Sequence, residues 1–439
     1  MPARPLAARD AASFCYDAIV IGLGAMGSAA LYQLAKAGAS VLGIDRYSPP
    51  HTLGSTHGDT RITRLAIGEG AEYVPLVKRS HEIWRELEEE SGLDLFQQCG
   101  GLIMAVQGAP GIHESATFLG QTVASAEQYG IGHERLSADQ IRMRYPQFDL
   151  AGSESGYYEP EAGFLRPERC VQAQLRLARQ RGATIRLGEE VLSYREQGDR
   201  VTVTTRTGPV LARRVVVAAG PWLPRLVPDL AGSLKVYRQV MYWFDLSDKT
   251  QYDTYREMPI FIWEFGTGQH HLMYGFPAID GPHGGAKVAT EQYSEETTTD
   301  TVARVAAGDE IDAMYERYVK DRLPGLSSRC LRSATCLYTV APASRFLIDF
   351  HPMEPNVIIA SACSGHGFKH SAAIGEVLAQ LVVTGRSDID ISPFALGGSA
   401  GREQALLAGD ERGGSDGGDH RDGRHRDEGD VLDHDEVHE

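Results

Sequence analysis

The chain has 439 residues, 42% of them hydrophobic and 23% charged, so it can fold into two or three domains and is neither a peptide module nor a disulfide miniprotein. Its formal net charge of −16 argues against a nucleic-acid backbone or an anionic membrane surface as the main partner. The six cysteines contain no Cys-x-x-Cys pair, which fits a reduced compartment better than a disulfide framework or a zinc site.

A dinucleotide-binding unit is predicted at the start of the chain. Residues 17–21 form a short β-branched run that is typical of a strand buried in a parallel sheet. A helix is expected over residues 28–37 and a second strand over residues 40–44. The order of strand, helix and strand predicts a βαβ unit.

Glycines between the first strand and the helix give this unit its predicted function. Gly22 permits the turn, Gly24 lets the backbone approach a pyrophosphate, and Gly27 lets the helix pack closely on the strand. The helix N-terminus presents free N–H groups to the anion. Asp45 ends the second strand where an acid can accept hydrogen bonds from a ribose. A glycine turn that merely permits packing would not require this acid.

The apolar run at residues 18–31 resembles a signal peptide or a membrane span. It is shorter than the about 20 residues that a spanning helix needs, and glycines interrupt it. We therefore predict a cytoplasmic protein without a membrane segment.

Further elements follow along the middle of the chain. An exposed helix is predicted over residues 82–90 and a buried strand over residues 100–106. Residues 201–206 and 209–213 predict a β-hairpin that runs into another strand over residues 215–220. Because such a strand can return to the first sheet, the nucleotide-binding domain is expected to be discontinuous.

The sequence beyond residue 236 predicts a second sheet, followed by a further strand and helix. Dense aromatic residues over 236–293 favour a sheet that roofs a ligand site. A buried strand is expected over residues 356–362 and a helix over residues 371–384. Beyond residue 394 the chain is rich in Gly, Asp, Arg and His, which predicts a disordered tail. A solvated tail is favoured over weak metal binding by its histidines, which are His420, His425, His434 and His438.

Six motifs together resemble those of the monomeric sarcosine oxidase and N-methyltryptophan oxidase family. The similarity runs from about residue 16 to about residue 396. The motifs are the glycine turn of residues 22–27, residues 55–64 (STHGDTRITR), residues 274–277 (YGFP), Lys287, residues 336–339 (CLYT) and residues 364–369 (SGHGFK). Several independent motifs in one order are far more specific than the glycine pattern alone.

The resemblance implies an α/β fold in which a sheet-rich substrate domain is inserted into a doubly wound, Rossmann-like FAD-binding domain. The expected boundaries are 16–90, 151–220 and 326–396 for the FAD-binding domain, 91–150 and 221–325 for the substrate domain, and 397–439 for the disordered acidic tail.

The resemblance also implies FAD as the cofactor, attached covalently through the sulfur of Cys336. Without the family motif, Cys336 would be interpreted as an ordinary core cysteine. The residues that the resemblance assigns to cofactor binding are Gly22, Gly24, Gly27, Asp45, Arg46, Ser55, Thr56, Cys336, Gly365, Gly367 and Lys369.

The implied reaction oxidises an N-methyl amino acid with dioxygen and water to the amino acid, formaldehyde and hydrogen peroxide. Arg64 and Lys369 match the pair that holds the substrate carboxylate, Arg61 matches a cation beside the flavin, and Lys287 matches the lysine that activates oxygen. The other residues assigned to the site are Tyr274 and Tyr338, which frame the amine, and His57 and His366, near the flavin. No metal is expected, and the protein is expected to be a monomer.

Several of these assignments have a structural alternative. Arg61 and Arg64 could form surface ion pairs, Lys287 could be an exposed strand lysine, and both histidines could serve only as structural hydrogen-bonding groups. One departure bears on the substrate, because Glu291 stands where the sarcosine enzyme has a pocket histidine.

Three alternative functions stay open at this point. The chain could oxidise a larger secondary amine such as N-methyltryptophan, pipecolate or a glycated amino acid. It could be a flavin dehydrogenase that depends on an electron carrier, or a nucleotide-binding protein without enzymatic activity.

Overall fold

The structure is a computed structural model that describes residues 15–106, 118–266 and 271–396. The strands are β1 (Cys15–Ile21), β2 (Val41–Asp45), β3 (Arg61–Thr63), β4 (Phe96–Gln98), β5 (Gly101–Val106), β6 (Glu134–Ser137), β7 (Glu154–Glu159), β8 (Gly163–Leu165), β9 (Thr184–Leu187), β10 (Val191–Gln197), β11 (Arg200–Thr205), β12 (Gly208–Val217), β13 (Lys235–Leu246), β14 (Ile260–Glu264), β15 (Leu272–Gly275), β16 (Ala286–Ala289), β17 (Leu326–Val340), β18 (Leu347–Phe350) and β19 (Val357–Ser361).

The helices are α1 (Ala25–Lys36), α2 (Val74–Ser91), α3 (Phe118–Tyr129), α4 (Ala138–Arg144), α5 (Pro167–Gln180), α6 (Leu223–Leu226), α7 (Tyr252–Arg256), α8 (Gly308–Met314) and α9 (Ser371–Thr384). Within the three described ranges, none of them is long and apolar enough to cross a membrane.

The first sheet is built around five parallel strands in the order β9-β2-β1-β12-β19. The long strand β12 has two partners on one of its sides. Its first half pairs antiparallel with β11, which forms a hairpin with β10, and its end pairs parallel with β19. The strand β18 closes the edge beyond β19. Segments far apart in sequence therefore meet in one sheet.

The two faces of this sheet are covered differently. Alternate residues of β1, such as Val20, pack against helices α1, α5 and α9. Ile19 and Ile21 point to the other face, which is covered by the β10–β11 hairpin and α6. On the helical face, α1 and α9 cross very closely, because a Cβ atom at Gly375 would lie 2.4 Å from the Cβ atom of Ala29.

The second sheet has eight strands in the order β17-β13-β16-β15-β14-β5-β7-β6. Its pairs are antiparallel except for β5 and β14. Its core includes residues from α4, α7 and α8, such as Ile141, Tyr255 and Met314. A third, small sheet has the order β3-β8-β4, and its strand β3 begins at Arg61.

The predicted α/β fold with an added sheet is confirmed. The domain boundaries stay a prediction, although β7 and β17 belong to the second sheet while residues 151–220 and 326–396 were assigned to the cofactor domain. The predicted tail at 397–439, with its four histidines, lies outside the described residues.

Two helices begin earlier than the sequence predicts. Helix α1 begins at Ala25 rather than at residue 28, so Gly27 lies inside the helix. Helix α2 begins at Val74 rather than at residue 82. The prediction of an exposed helix was wrong, since one side of α2, including Ile83 and Trp84, is buried.

Candidate active site

A cavity of about 430 Å³ extends from the first sheet to the second. Gly22 and Asp45, from the carboxyl ends of β1 and β2, line it on the side of the first sheet. Tyr274 from β15 and Glu291, which follows β16, line it on the side of the second sheet. Ligands of open parallel sheets bind outside the carboxyl ends of the strands, so the cavity lies where a nucleotide is expected.

The first glycine turn forms one wall of this cavity. Gly22 has a φ of +86°, and a Cβ atom there would lie 2.6 Å from the carbonyl oxygen of Ala218. A Cβ atom at Gly27 would lie 1.7 Å from the carbonyl oxygen of Gly22, so only glycine permits this approach of helix and strand. At Gly24 the nearest atom would be Thr56 Oγ1 at 3.6 Å, which leaves room beside the backbone.

Asp45 is held in place beside this turn. Its Oδ2 atom accepts a hydrogen bond from the backbone N–H of Leu23 at 2.7 Å, and Oδ1 accepts one from Tyr47 at 2.7 Å. Burial raises the pKa of Asp45, and the two amide donors oppose the increase. A carboxylate oxygen can accept a further hydrogen bond, so the fixed side chain can still receive ribose hydroxyl groups.

A second glycine turn lies before α9. Gly365 has a φ of +84°, and a Cβ atom at Gly367 would lie 1.7 Å from the carbonyl oxygen of Ala362. Four buried hydroxyl groups that line the cavity have no hydrogen-bond partner within the described residues: Ser55, Thr60, Thr339 and Ser361. Unpaired buried hydroxyl groups and open glycine backbone fit a polar ligand such as a dinucleotide.

A cation lies next to the thiol predicted to hold the flavin. Arg61 donates to the carbonyl oxygen of Ser55 at 2.9 Å, and its Nη2 atom lies 3.6 Å from the sulfur of Cys336. Burial raises the pKa of the Cys336 thiol and the Arg61 guanidinium lowers it. Burial has the larger effect, so the neutral thiol is favoured, and Arg61 reduces the cost of forming the nucleophilic thiolate.

Lys287 is buried rather than exposed, contrary to its structural alternative. Its Nζ atom donates to the carbonyl oxygens of Gly58 at 2.8 Å and Thr60 at 2.7 Å, and lies 3.9 Å from the ring centroid of Phe276. Burial and the nearby Arg61 lower the pKa of Lys287 well below its usual value. The Lys287 amino group is thus fixed next to the Arg61 segment.

Arg64 and Lys369 come together around a carboxylate that belongs to the chain itself. Arg64 Nη2 donates to Glu69 Oε2 at 2.7 Å, and Lys369 Nζ donates to Glu69 Oε1 at 3.0 Å. We call these three residues the carboxylate fork. Arg64 is 2% exposed and Lys369 is 4% exposed, so Arg64 does not form the surface ion pair of its structural alternative.

Electrostatics in the fork favour a bound anion. Burial alone would raise the pKa of Glu69, but Arg64 and Lys369 hold it well below its usual value. Burial lowers the pKa of Lys369 to about 8, while Glu69 opposes the decrease. One carboxylate therefore faces two buried cations, and this arrangement is the one that a substrate carboxylate would require.

The cavity is also lined by tyrosines and a further acid. Tyr274, Tyr293, Tyr338 and Glu291 all line the cavity. Burial raises the pKa of Tyr274 to about 12. The Oη atom of Tyr293 donates a hydrogen bond to Glu291 Oε2 at 2.9 Å. These residues place phenol groups and one carboxyl group within the same cavity as the fork.

Both histidines assigned to the site are buried and favour the neutral form. Burial lowers the pKa of His57 and of His366 to about 4. The ring of His366 stacks on Phe346 at a centroid distance of 4.7 Å, and its Nε2 atom lies 3.1 Å from the carbonyl oxygen of Ser344. These contacts favour a structural role for His366, and its catalytic role stays a prediction.

The structure brings most of the predicted site residues to one cavity. Those that line it are Gly22, Gly24, Asp45, Arg46, Ser55, Thr56, Arg61, Arg64, Tyr274, Tyr338, Gly365, His366, Gly367 and Lys369. Gly27, His57, Lys287 and Cys336 are not among the lining residues, although Lys287 and Cys336 contact residues adjoining it. Over the described ranges, no group of His, Cys, Asp or Glu residues could hold a metal ion.

Glu69 is the residue that sequence reasoning missed. It lies between two glycines, Gly68 and Gly70, and has no local pattern that predicts burial. Its position five residues after Arg64 was the available signal, since a buried arginine requires a nearby anion.

Comparisons with known proteins agree with this geometry. Residues 17–381 match the family described as FAD dependent oxidoreductase. Monomeric sarcosine oxidase from Bacillus sp. (strain NS-129) is 37% identical over 394 residues, which cover 89% of this chain and 99% of that enzyme. N-methyl-L-tryptophan oxidase from Escherichia coli (strain K12) is 34% identical over 387 residues, which cover 87% and 98% of the two chains.

A solved structure has a similar fold. The open form of NikD, an unusual amino acid oxidase essential for nikkomycin biosynthesis, has a TM-score of 0.75 over 87% of this chain and 98% of that chain. The sequence identity is 24%, so the similarity concerns the fold alone.

Replacing Glu69 by Gln should destabilise the protein at pH 7. The substitution leaves Arg64 and Lys369 without their anion, which costs about 3–5 kcal/mol of unfolding free energy for a buried pair that loses one partner. Because the folded-state pKa of Glu69 lies below its unfolded value, the stabilisation is complete above the unfolded pKa and is lost as the pH falls through the folded pKa. Urea unfolding at several pH values measures both effects.

The matched control is Glu316→Gln, which removes an exposed partner of Lys320. It should leave the free energy of unfolding almost unchanged, because an exposed ion pair contributes little to stability. Equal stabilities of the Glu69→Gln variant and the wild-type protein at pH 7 would contradict the electrostatic account of the fork.

Proposed function

Because the chain belongs to the family of FAD-dependent oxidoreductases, we propose that it is an oxidase of N-methyl amino acids. The resemblance indicated by the six motifs is thereby confirmed. The proposed reaction converts an N-methyl amino acid, dioxygen and water into the amino acid, formaldehyde and hydrogen peroxide. The observation that carries the proposal is the carboxylate fork, since Arg64 and Lys369 already hold a carboxylate inside the cavity.

The chain offers a complete set of groups for the cofactor. Open glycine backbone would approach the pyrophosphate, the fixed Asp45 would accept hydrogen bonds from a ribose, and the unpaired buried hydroxyl groups that line the cavity would add hydrogen bonds. When bound, FAD supplies the acceptor for the hydrogen and the electron pair removed from the substrate. The sulfur of Cys336, beside Arg61, is the proposed covalent attachment point.

Substrate binding is the task of the fork. We assign the carboxylate to Arg64 and Lys369, whose donors can replace their contacts with Glu69 by contacts with the substrate. The phenol groups of Tyr274 and Tyr338, which line the same cavity, would border the amine. The surrounding protein excludes water, because both cations of the fork are almost fully buried.

Lys287 is assigned to the oxygen reaction. Dioxygen becomes negatively charged as it is reduced, and a fixed buried cation stabilises that charge more strongly than one in water. Arg61 adds a second positive charge close by. These two cations support an oxidase rather than a dehydrogenase that depends on an electron carrier. The monomeric state and the cytoplasmic location stay predictions.

Lys369→Met should weaken recognition of the substrate carboxylate. Loss of a hydrogen bond to a charged group should raise the KM for N-methyl amino acids by about 10- to 100-fold. A secondary amine without a carboxylate, such as N-methylethylamine, should be oxidised poorly by both proteins. Peroxide formation over a panel of N-methyl amino acids measures both effects.

The exposed Lys320→Met substitution is the control and should leave the KM unchanged. If the wild-type protein formed no peroxide with any N-methyl amino acid, the proposed function would be wrong.

Lys287→Met should separate the two half-reactions. Reduction of the flavin by substrate without oxygen should stay close to the wild-type rate, whereas reoxidation by dioxygen should slow by about 100- to 1,000-fold. Because burial lowers the pKa of Lys287, wild-type reoxidation should slow as the pH rises through that pKa. Stopped-flow absorbance measures both steps, and equal slowing of both would contradict the assignment.

Cys336→Ala should release the flavin. Acid-precipitated wild-type protein should stay yellow, and the precipitated variant should be colourless. Cys363→Ala is the matched control, because Cys363 also lines the cavity and should not hold the flavin. If only the Cys363 variant lost its colour, the flavin would be attached to Cys363 and the assignment to Cys336 would be wrong.

A further inference from the structure

Glu291 brings a carboxyl group into the cavity close to the fork. It follows β16, four residues after Lys287, and lines the cavity. Its Oε2 atom accepts the hydrogen bond from Tyr293, which is the one hydrogen bond of this side chain within the described residues. A carboxylate can accept several hydrogen bonds, so Oε1 is available to a ligand.

Several charged or titratable side chains interact with Glu291 from the elements around it. Burial raises the pKa of Glu291 to about 7, the hydrogen bond from Tyr293 lowers it, Glu69 raises it, and Lys369 and Arg64 lower it. The groups that interact with it are Arg64 and Glu69 from the segment after β3, Tyr274 from β15, Tyr293 from its own segment, Tyr338 from β17 and Lys369 from the turn before α9.

The cavity also extends beyond the fork. Phe118 from α3, Ile262 from β14 and Leu272 from β15 provide an apolar lining, and Glu264 at the end of β14 provides a second acid. N-methylglycine has no side chain to contact these residues. The lining therefore suits a longer substrate whose side chain has an apolar stem and a polar end.

We infer that the site takes secondary α-amino acids whose side chain ends in a cationic hydrogen-bond donor, and that Glu291 pairs with that donor. The inference rests on the proposed function, because it places the substrate carboxylate on Arg64 and Lys369. With that carboxylate bound, the two cations of the fork face two anions, so the ionised Glu291 has no cation left to offset it. A cationic side chain supplies the missing charge, whereas a neutral apolar side chain would bury the carboxylate without a partner.

The test compares two substrates that differ in one group. Nα-methyl-L-lysine carries an ammonium group at the end of its side chain, and Nα-methyl-L-norleucine has the same stem without it. The wild-type protein should prefer the lysine derivative by about 10-fold or more in kcat/KM, as expected for a charged hydrogen bond. Glu291→Gln keeps a hydrogen-bond acceptor for Tyr293 and should bring the ratio close to one.

The pH dependence provides a second readout. As the pH rises from 6 to 8, Glu291 ionises and the preference of the wild-type protein for the lysine derivative should increase. In Glu291→Gln the ratio should stay flat. Because the ratio compares two substrates with the same secondary amine, deprotonation of that amine largely cancels. The exposed Glu295→Gln substitution, in the same segment, is the control and should behave as the wild-type protein.

Three results would overturn the inference. The first is a wild-type protein that does not prefer the lysine derivative. The second is an equal loss of kcat/KM for both substrates in Glu291→Gln, which would indicate that the acid acts on the amine. The third is loss of the preference in Glu264→Gln together with its retention in Glu291→Gln. This result would show that the cationic end of the substrate pairs with Glu264 on β14.

Failure of the proposed function is distinguishable from these results. If neither these two substrates nor any other N-methyl amino acid yields peroxide, the oxidase proposal fails, and binding of the same two amino acids measured by calorimetry then decides the inference. If other N-methyl amino acids yield peroxide and these two do not, the oxidase proposal stands and the inference is overturned. Tighter binding of the lysine derivative that depends on Glu291 would support it, and equal binding would overturn it.

Discussion

Two buried cations that share one carboxylate are the constraint on which the rest of the site depends. Arg64 and Lys369 come from distant parts of the chain and meet on Glu69. Removing two positive charges from water is expensive, and a single negative charge offsets only part of that cost. Arg61, which also lines the cavity, adds further positive charge. The centre therefore favours an anionic ligand before any specific contact is considered.

The fold explains how such a centre can form. Lys369 lies just before α9, which packs closely on α1 through Gly375, so its backbone is fixed by the first sheet and its helices. Arg61 and Arg64 belong to the segment of β3, which is paired with β8. Lys287 lies on β16, which is held between β13 and β15 of the second sheet. Three rigid elements thus hold the cations, and no single loop positions them.

Local patterns in the sequence predicted the parts that depend on short-range chemistry. The glycine turn, Asp45 and the helix over residues 371–384 follow from spacing and composition, and the structure has them where they were predicted. The start of α1 was misplaced because Gly27, a poor helix former, lies inside the helix to allow contact with Gly22. The buried side of α2 and the role of Glu69 were missed, since both depend on residues that are distant in sequence. The roles of individual residues came from the family motifs and remain to be measured.

The two-sided pairing of β12 has a consequence for the way the chain is made. One edge of Val215–Val217 pairs with β1, which is synthesised early. The other edge pairs with Val357–Ile359, which is synthesised much later. During synthesis of everything between residues 217 and 357, that edge exposes free backbone groups flanked by apolar side chains. A nascent chain in this state can associate with other unfinished chains, and it can complete its parallel sheet only after most of its length has left the ribosome. We therefore expect production of this protein in quantity to depend on translation speed and on chaperone supply.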